Sequence, residues 1–332
     1  MGIKVLIFID EIRPDENWLG VMQISVNAEI VNKITVVGNF LNMHKDYLSP
    51  KVTLKKSVSI REVSRNQIVF GLPSKYIFLK IINILIRKSI FLGVVPGKIT
   101  KAIGFYKHPG NSIKGKIVRL VRSLVPYNYC LAEDFEDAMY LATAFRQDID
   151  SYLPIGLPKN IHIASEFLKD KEERKRGILF VPTHRWEGKS SVISQWLADQ
   201  DFINALKKFD IFYNNHPDED DCIVDNSVVN TRKLKKSFWG SIDILVTDYS
   251  SIAHDFLSAG GKNVIHITSD LQEFEQHQGR SPLPYQKQFP GVRCNTKVEF
   301  LDAVEGITDF KKETIDITEF SDLWFQKILC HK

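Results

Sequence analysis

From Asp243 to Phe256 the chain reads DILVTDYSSIAHDF. The apolar run Ile244-Leu245-Val246 stops at Thr247 and Asp248. Two adjacent serines, Ser250 and Ser251, then precede Ile252, Phe256 and Leu257, which are spaced as on a helix. A helix starting there has backbone N–H groups with no carbonyl partner, at the positive end of its dipole. Serine hydroxyls beside such a start suit a phosphate. The simpler alternative is that Asp248 or Ser250 only caps the helix. The neighbouring sequence favours an anion site, because two other strand-like runs also end in polar clusters. GILFVPT (177–183) delivers Thr183, His184, Arg185 and Glu187, and DIFYNNHP (210–217) delivers His216. Arg185 can hold phosphate oxygens bidentately, or pair with Glu187 at the surface. His216 titrates near neutrality and can hydrogen-bond a phosphate or trade a proton with it; a structural role is the alternative. His108, in FYKHPGNSIKGK, follows the strand-like run 101–106 and precedes Pro109-Gly110, a turn that would expose its imidazole.

The elements that must position these residues alternate. KVLIFID (4–10), KITVVGN (33–39), QIVFGL (67–72) and KAIGFY (101–106) read as strands in the first half. The second half runs strand 177–183, helix 192–209, strand 210–217, strand DILVTDYS, helix SIAHDFLSAGG and strand NVIHI (263–267). Such alternation predicts parallel sheets flanked by helices, with ligands beyond the carboxyl ends of the strands. The apolar segment 74–93 and GKIVRLVRSLV (115–125) read either as core helices or as interfacial helices whose basic residues meet anionic lipid. Residues 130–145 through 154–160 read as the crossing between halves. The expected domains are 1–150, which is basic, and 151–310, with a C-terminal helix in 311–332 that crosses back. GxGxxG and P-loop motifs are both missing, which excludes the standard dinucleotide and Walker sites.

At 332 residues, 44% hydrophobic and 25% charged, the composition is that of a globular chain of about two domains. MGIKVLIFID meets Asp10 and Glu11 too early for a signal peptide, and no run approaches the ~20 apolar residues of a membrane span. Cys130, Cys222, Cys294 and Cys330 are scattered, as expected for reduced thiols in the cytoplasm. Residues 1–125 carry 20 Lys/Arg against 7 Asp/Glu, and no acidic residue lies between Glu62 and Glu133. A half with that charge attracts a polyanion. No recognisable RNA or DNA module accompanies it, so a nucleic-acid partner is not expected.

With these residues in view, the chain resembles the CDP-glycerol glycerophosphotransferases, which transfer polyol phosphates in teichoic-acid and capsule synthesis. VTDYSSIAHDFLSAGGKNVIHI resembles their strand ending Asp-Tyr-Ser-Ser. Residues 271–304 resemble their tail, LFVPTHRWE their Pro-Thr-x-Arg, NNHP their His-Pro, and GLPKN their Gly-x-Pro-Arg-Asn turn. The departures are His108-Pro109-Gly110 for His-Gly-Thr, His184 for Trp, and Lys159 for Arg. The resemblance covers about residues 100–305. It implies two Rossmann-like domains facing each other across a cleft, the GT-B arrangement, with the CDP donor in the second. The implied reaction moves glycerol or ribitol phosphate to a hydroxyl of a lipid-linked or polymeric anionic acceptor and releases CMP. His108 would be the base, and His216 would meet the transferred phosphate. Thr183, Arg185, Thr247, Ser250 and Ser251 would hold the donor, with Asp248 and Asp255 orienting neighbours or meeting ribose or polyol hydroxyls. The sequence requires no cofactor, although Mg²⁺ held by the pyrophosphate is compatible with it. The expected location is the cytoplasm, peripheral on the anionic inner face of the cell membrane. The alternative is a GT-B transferase using a nucleotide sugar.

Overall fold

The structure, a computed structural model, describes residues 2–9, 16–38, 49–63, 65–70, 89–93, 128–168, 175–183, 185, 189–214, 227–231, 234, 238–281 and 285–330. The chain divides into two units. The first contains β1 (Ile3–Ile9), α1 (Glu16–Asn27), β2 (Val31–Gly38), β3 (Val52–Lys55), α2 (Ile60–Val63), β4 (Ile68–Phe70), β5 (Ile90–Gly93), β6 (Tyr129–Ala132), α3 (Phe135–Phe145) and β7 (Tyr152–Pro154). Its sheet has the order β3-β2-β1-β4-β5-β6-β7, with every pair parallel. The apolar run in β1 follows from burial on both faces. Val5 and Ile7 enter one core cluster, while Leu6 and Phe8 enter another. α3 starts where the Asp134 carboxylate accepts the Asp137 N–H at 2.8 Å, and it stops at Arg146, whose φ is 50°.

Two expectations change here. Ile90–Gly93, the end of the segment read as a helix, is a buried strand in register with β4, Ile68 opposite Ile90. Short apolar runs do not distinguish a buried strand from a buried helix. The region read as a crossing supplies β6, α3 and β7 to the first sheet, because Cys130 pairs with Tyr152 and Ala132 with Pro154. The rest of 74–93, and the runs 101–106 and 115–125, lie outside the described residues.

The two units divide between His162 and Ile163, inside α4 (Pro158–Phe167), later than the 150/151 boundary read from sequence. The second unit contains β8 (Gly177–Val181), α5 (Val192–Leu197), α6 (Gln200–Ala205), β9 (Asp210–Tyr213), β10 (Val229–Asn230), β11 (Ile244–Thr247), α7 (Ile252–Ser258), β12 (Asn263–Ile267), α8 (Leu271–Gln278), α9 (Tyr285–Gln288), β13 (Val292–Cys294) and α10 (Lys297–Glu305). Its sheet, β10-β9-β8-β11-β12-β13, is parallel throughout. Ile178, Phe180, Ile244 and Val246 pack in one cluster, and the alternating Leu179 and Leu245 in another. The single helix expected over 192–209 is two, because Asp199 interrupts it. Its carboxylate accepts the Asp201 and Phe202 N–H groups at 2.9 and 3.4 Å and starts α6.

The last helix, α11 (Ile317–Cys330), belongs to the first unit. Trp324, Phe325 and Ile328 join the cluster of Val5 and Ile7, and Trp324 stacks on Phe70 with centroids 5.8 Å apart. In both sheets the strand sequence reverses direction beside the first strand, between β1 and β4 and again between β8 and β11. Two Rossmann-like α/β units result.

Candidate functional site

In a doubly wound sheet the ligand crevice lies outside the carboxyl ends of the strands where the order reverses. In the second unit that point lies beyond β8 and β11, which pair from Ile178↔Ile244 to Val181↔Thr247. The sequence candidates fall there: Thr183 and Arg185 after β8, and Thr247, Asp248, Ser250 and Ser251 at the end of β11.

Their geometry separates them into two groups. Thr247, fully buried, donates its hydroxyl to the Val181 carbonyl at 2.6 Å and ties the two strand ends together. One oxygen of Asp248 accepts the Thr183 N–H at 2.8 Å and the Tyr249 N–H at 2.6 Å. Its other oxygen takes Arg185 Nη2 at 2.8 Å. Asp255 is buried in the first turn of α7, where the helix dipole favours a carboxylate. All three side chains are buried, and the first two tie the strand ends together.

Arg185 requires a correction. Its expected job was to grip the donor phosphate, or else to pair with Glu187. The guanidinium is 2% exposed and committed inside the protein. Nη1 donates to the Thr183 carbonyl at 2.9 Å, and Nε and Nη2 reach Asp270 Oδ2 at 3.3 and 3.0 Å, besides the bond to Asp248. The Tyr249 and Phe274 rings, stacked at 4.1 Å, each have their centroid 5.1 Å from the guanidinium carbon. Burial works against the charge, but Asp248 and Asp270 outweigh it and hold the guanidinium above its ordinary pKa. Burial, then the hydrogen bond to Asp270, push the Tyr249 hydroxyl well up, so it stays a donor.

The groups left to meet a ligand are hydroxyls. Thr183 Oγ1 is buried and has no hydrogen-bond partner among the described residues, an arrangement that is costly unless a ligand completes it. Ser250 and Ser251 are half-buried. Ser250 Oγ accepts the Ile252 N–H at 3.3 Å, while Ser251, at the N-cap of α7, makes no side-chain cap bond. The Ser251 hydroxyl therefore remains suited to an anion, whereas the Ile252 N–H is taken by Ser250 and the His254 and Asp255 N–H groups meet the Ser251 carbonyl at 3.0 and 3.3 Å. α7 ends with the Gly260 N–H on the Leu257 carbonyl and the Gly261 N–H on the Phe256 carbonyl, both 2.9 Å. Gly260 has φ 99°, the left-handed turn that a glycine permits.

His108 and His216 lie outside the described residues, as do His184 and Glu187. Sequence reasoning missed Asp270, Tyr249 and Phe274. Asp270 sits directly before α8, and in sequence it looks like an ordinary helix cap. Among the described residues, no group of three or more His, Cys, Asp or Glu could hold a metal ion.

Comparison with known proteins follows the same lines. Residues 43–327 match the profile of the CDP-glycerol:poly(glycerophosphate) glycerophosphotransferase family. The teichoic acid glycerol-phosphate primase of Bacillus subtilis (strain 168) is 25% identical over 230 residues. That alignment covers 64% of this chain and 56% of the relative, so the chain matches little more than half of that protein's length. Among solved structures, the wall teichoic acid polymerase TagF superposes with a TM-score of 0.63 at 13% identity, covering 99% of this chain and 83% of that one. A UDP-GlcNAc 2-epimerase from Neisseria meningitidis superposes with a TM-score of 0.54 at 11% identity, over 99% and 100%. At such identities the likeness is one of fold, the two-unit GT-B type. The profile match covers most of the sequence, including the polar ends of β8 and β11, and the chain belongs to the CDP-glycerol:poly(glycerophosphate) glycerophosphotransferase family.

Proposed function

We propose that the protein transfers a polyol phosphate, glycerol phosphate or ribitol phosphate, from a CDP-activated donor to a hydroxyl of a lipid-linked or polymeric anionic acceptor. CMP leaves, and the product extends or primes a cell-surface polymer of the teichoic-acid or capsule kind. The observation that carries this reading is the set of hydroxyls at the strand-order reversal of the second sheet, above all Thr183 Oγ1, buried and without a partner among the described residues, within the sequence that matches the family. Phosphoryl transfer needs positioning and charge stabilisation more than covalent help. Thr183, Ser250 and Ser251 hold the donor pyrophosphate. Thr247 and Asp248 keep the strand ends in place, and Asp255 orients neighbours or meets ribose or polyol hydroxyls. His216 contacts the transferred phosphate, and His108 takes the acceptor proton as general base. The acid-free basic stretch between Glu62 and Glu133 receives the anionic acceptor and the anionic membrane surface. Among the described residues no helix is long and apolar enough to cross a membrane.

The test is a donor screen. CDP-glycerol, CDP-ribitol and UDP- or CMP-sugars are offered with a glycerol-phosphate-primed acceptor, and released nucleotide is measured. CMP release from a CDP-polyol is expected. Turnover confined to nucleotide sugars would move the protein to the other reading, a sugar transferase on the same fold.

A further inference from the structure

We propose that Asp270 is a positioning residue of the donor site and acts on it through Arg185; the proposal rests on the donor reading above. Asp270 occupies the N-cap of α8, where an aspartate ordinarily accepts the free N–H groups of the first turn. Here its side chain makes no cap bond. One carboxylate oxygen instead takes the Tyr249 hydroxyl at 2.6 Å, and the other takes Arg185 Nε and Nη2 at 3.3 and 3.0 Å. A residue well suited to the local task has been turned to a long-range one.

The effect can be followed atom by atom. Asp270 fixes the fork of Arg185 from one side, and the stacked Tyr249 and Phe274 rings pack against it. The fork then presents Nη1 to the Thr183 carbonyl and Nη2 to Asp248. Asp248, so oriented, accepts the Thr183 and Tyr249 amides. Three segments, those following β8, β11 and β12, are thereby joined around one guanidinium. Two of them carry Thr183, Ser250 and Ser251, the groups that meet the donor. A charge-paired network is rigid when every member is satisfied and loosens when one is removed.

The experiment compares Asp270→Ser with Asp270→Asn. Serine suits a helix N-cap equally well but cannot span Arg185 and Tyr249, so it leaves the helix start undisturbed and removes the network. Asparagine keeps the size and removes the charge. Two readouts are taken on the full chain: residue-resolved amide exchange, and calorimetric affinity for CDP and UDP. In both variants, exchange at Thr183 and Tyr249 should rise about tenfold or more, the worth of a hydrogen bond to a charged group. Exchange at Phe180 and Leu245, inside the strands, should stay unchanged, and CDP affinity should fall about tenfold. Unchanged exchange at Thr183 and Tyr249 would overturn the proposal. So would a uniform rise across the sheet, which marks plain destabilisation, or altered exchange with undiminished CDP affinity. If the unmodified protein binds neither nucleotide, the donor reading fails, and the exchange pattern still decides whether Asp270 holds the loops.

Discussion

Replacing Arg185 with methionine separates the two jobs this arginine could have. Methionine fills part of the stem volume and removes all of the donors. Asp248, whose side chain is 2% exposed, then keeps its charge with only backbone amides to answer it, and Asp270 loses its cation while keeping the Tyr249 hydroxyl. Removing one partner of a buried ion pair costs about 3–5 kcal/mol. For a domain of this size each kcal/mol lowers the Tm by about 2–4 °C, so Arg185→Met should melt roughly 6–20 °C below the parent. Adding Asp248→Asn removes the orphaned charge while an amide oxygen still accepts the Thr183 N–H, and should recover about 1–3 kcal/mol. Calorimetric melting and urea titration, run beside CDP binding, give the answer. An exposed phosphate arm behaves in the opposite way: its loss abolishes donor binding and leaves the Tm in place. An Arg185→Met protein within about 1 kcal/mol of the parent would refute the buried-anchor assignment.

Gly20 in α1 lies where a Cβ would come 1.9 Å from the Pro158 carbonyl oxygen at the start of α4. Gly20→Ala should therefore cost about 1–3 kcal/mol or more, read from the Tm, and a neutral effect would contradict that close approach. His266, with ring nitrogens 2.9 Å from the Asp248 carbonyl and 3.2 Å from that of Pro290, is held below its ordinary pKa by burial, which outweighs those contacts. The unfolded chain gains its proton first, so stability falls as pH drops from about 6.5 through the depressed folded value, by at most ~1.4 kcal/mol per pH unit. His266→Gln should flatten that dependence between pH 7 and 5, and parallel pH–Tm curves would exclude it. His108→Ala should cut turnover about 10²–10⁴-fold while sparing CDP binding, whereas His216→Ala should weaken both. Near-normal turnover of the His108 variant would send the search for the base elsewhere. Flotation with anionic liposomes should weaken as salt rises, and binding indifferent to salt and lipid charge would remove the membrane role.

The parts legible from sequence were those with a local signature. Apolar runs such as Gly177–Val181 and Ile244–Thr247 announce buried parallel strands, and the polar residues after them mark the carboxyl ends of those strands. What remained hidden depended on partners distant in the chain. Arg185 meets carboxylates with the same fork geometry it would offer a phosphate, so its residue type could not distinguish the two. Asp270 lies 85 residues away from it, and an aspartate before a helix reads as a cap. β5 was obscured because Ile90-Phe91-Leu92 continues an apolar run whose periodicity fits either kind of element. β7 was obscured because Pro154 demotes a strand to an edge, and an edge is where it lies.

The proposed reaction is defined by which bond breaks and what is carried across. Mass spectrometry of a defined glycerol-phosphate acceptor, incubated with the protein and CDP-glycerol, tests it directly. The acceptor should gain one or more glycerol-phosphate units, with one CMP released for each. An acceptor left unchanged by CDP-glycerol but extended by a sugar from a nucleotide sugar would contradict the account.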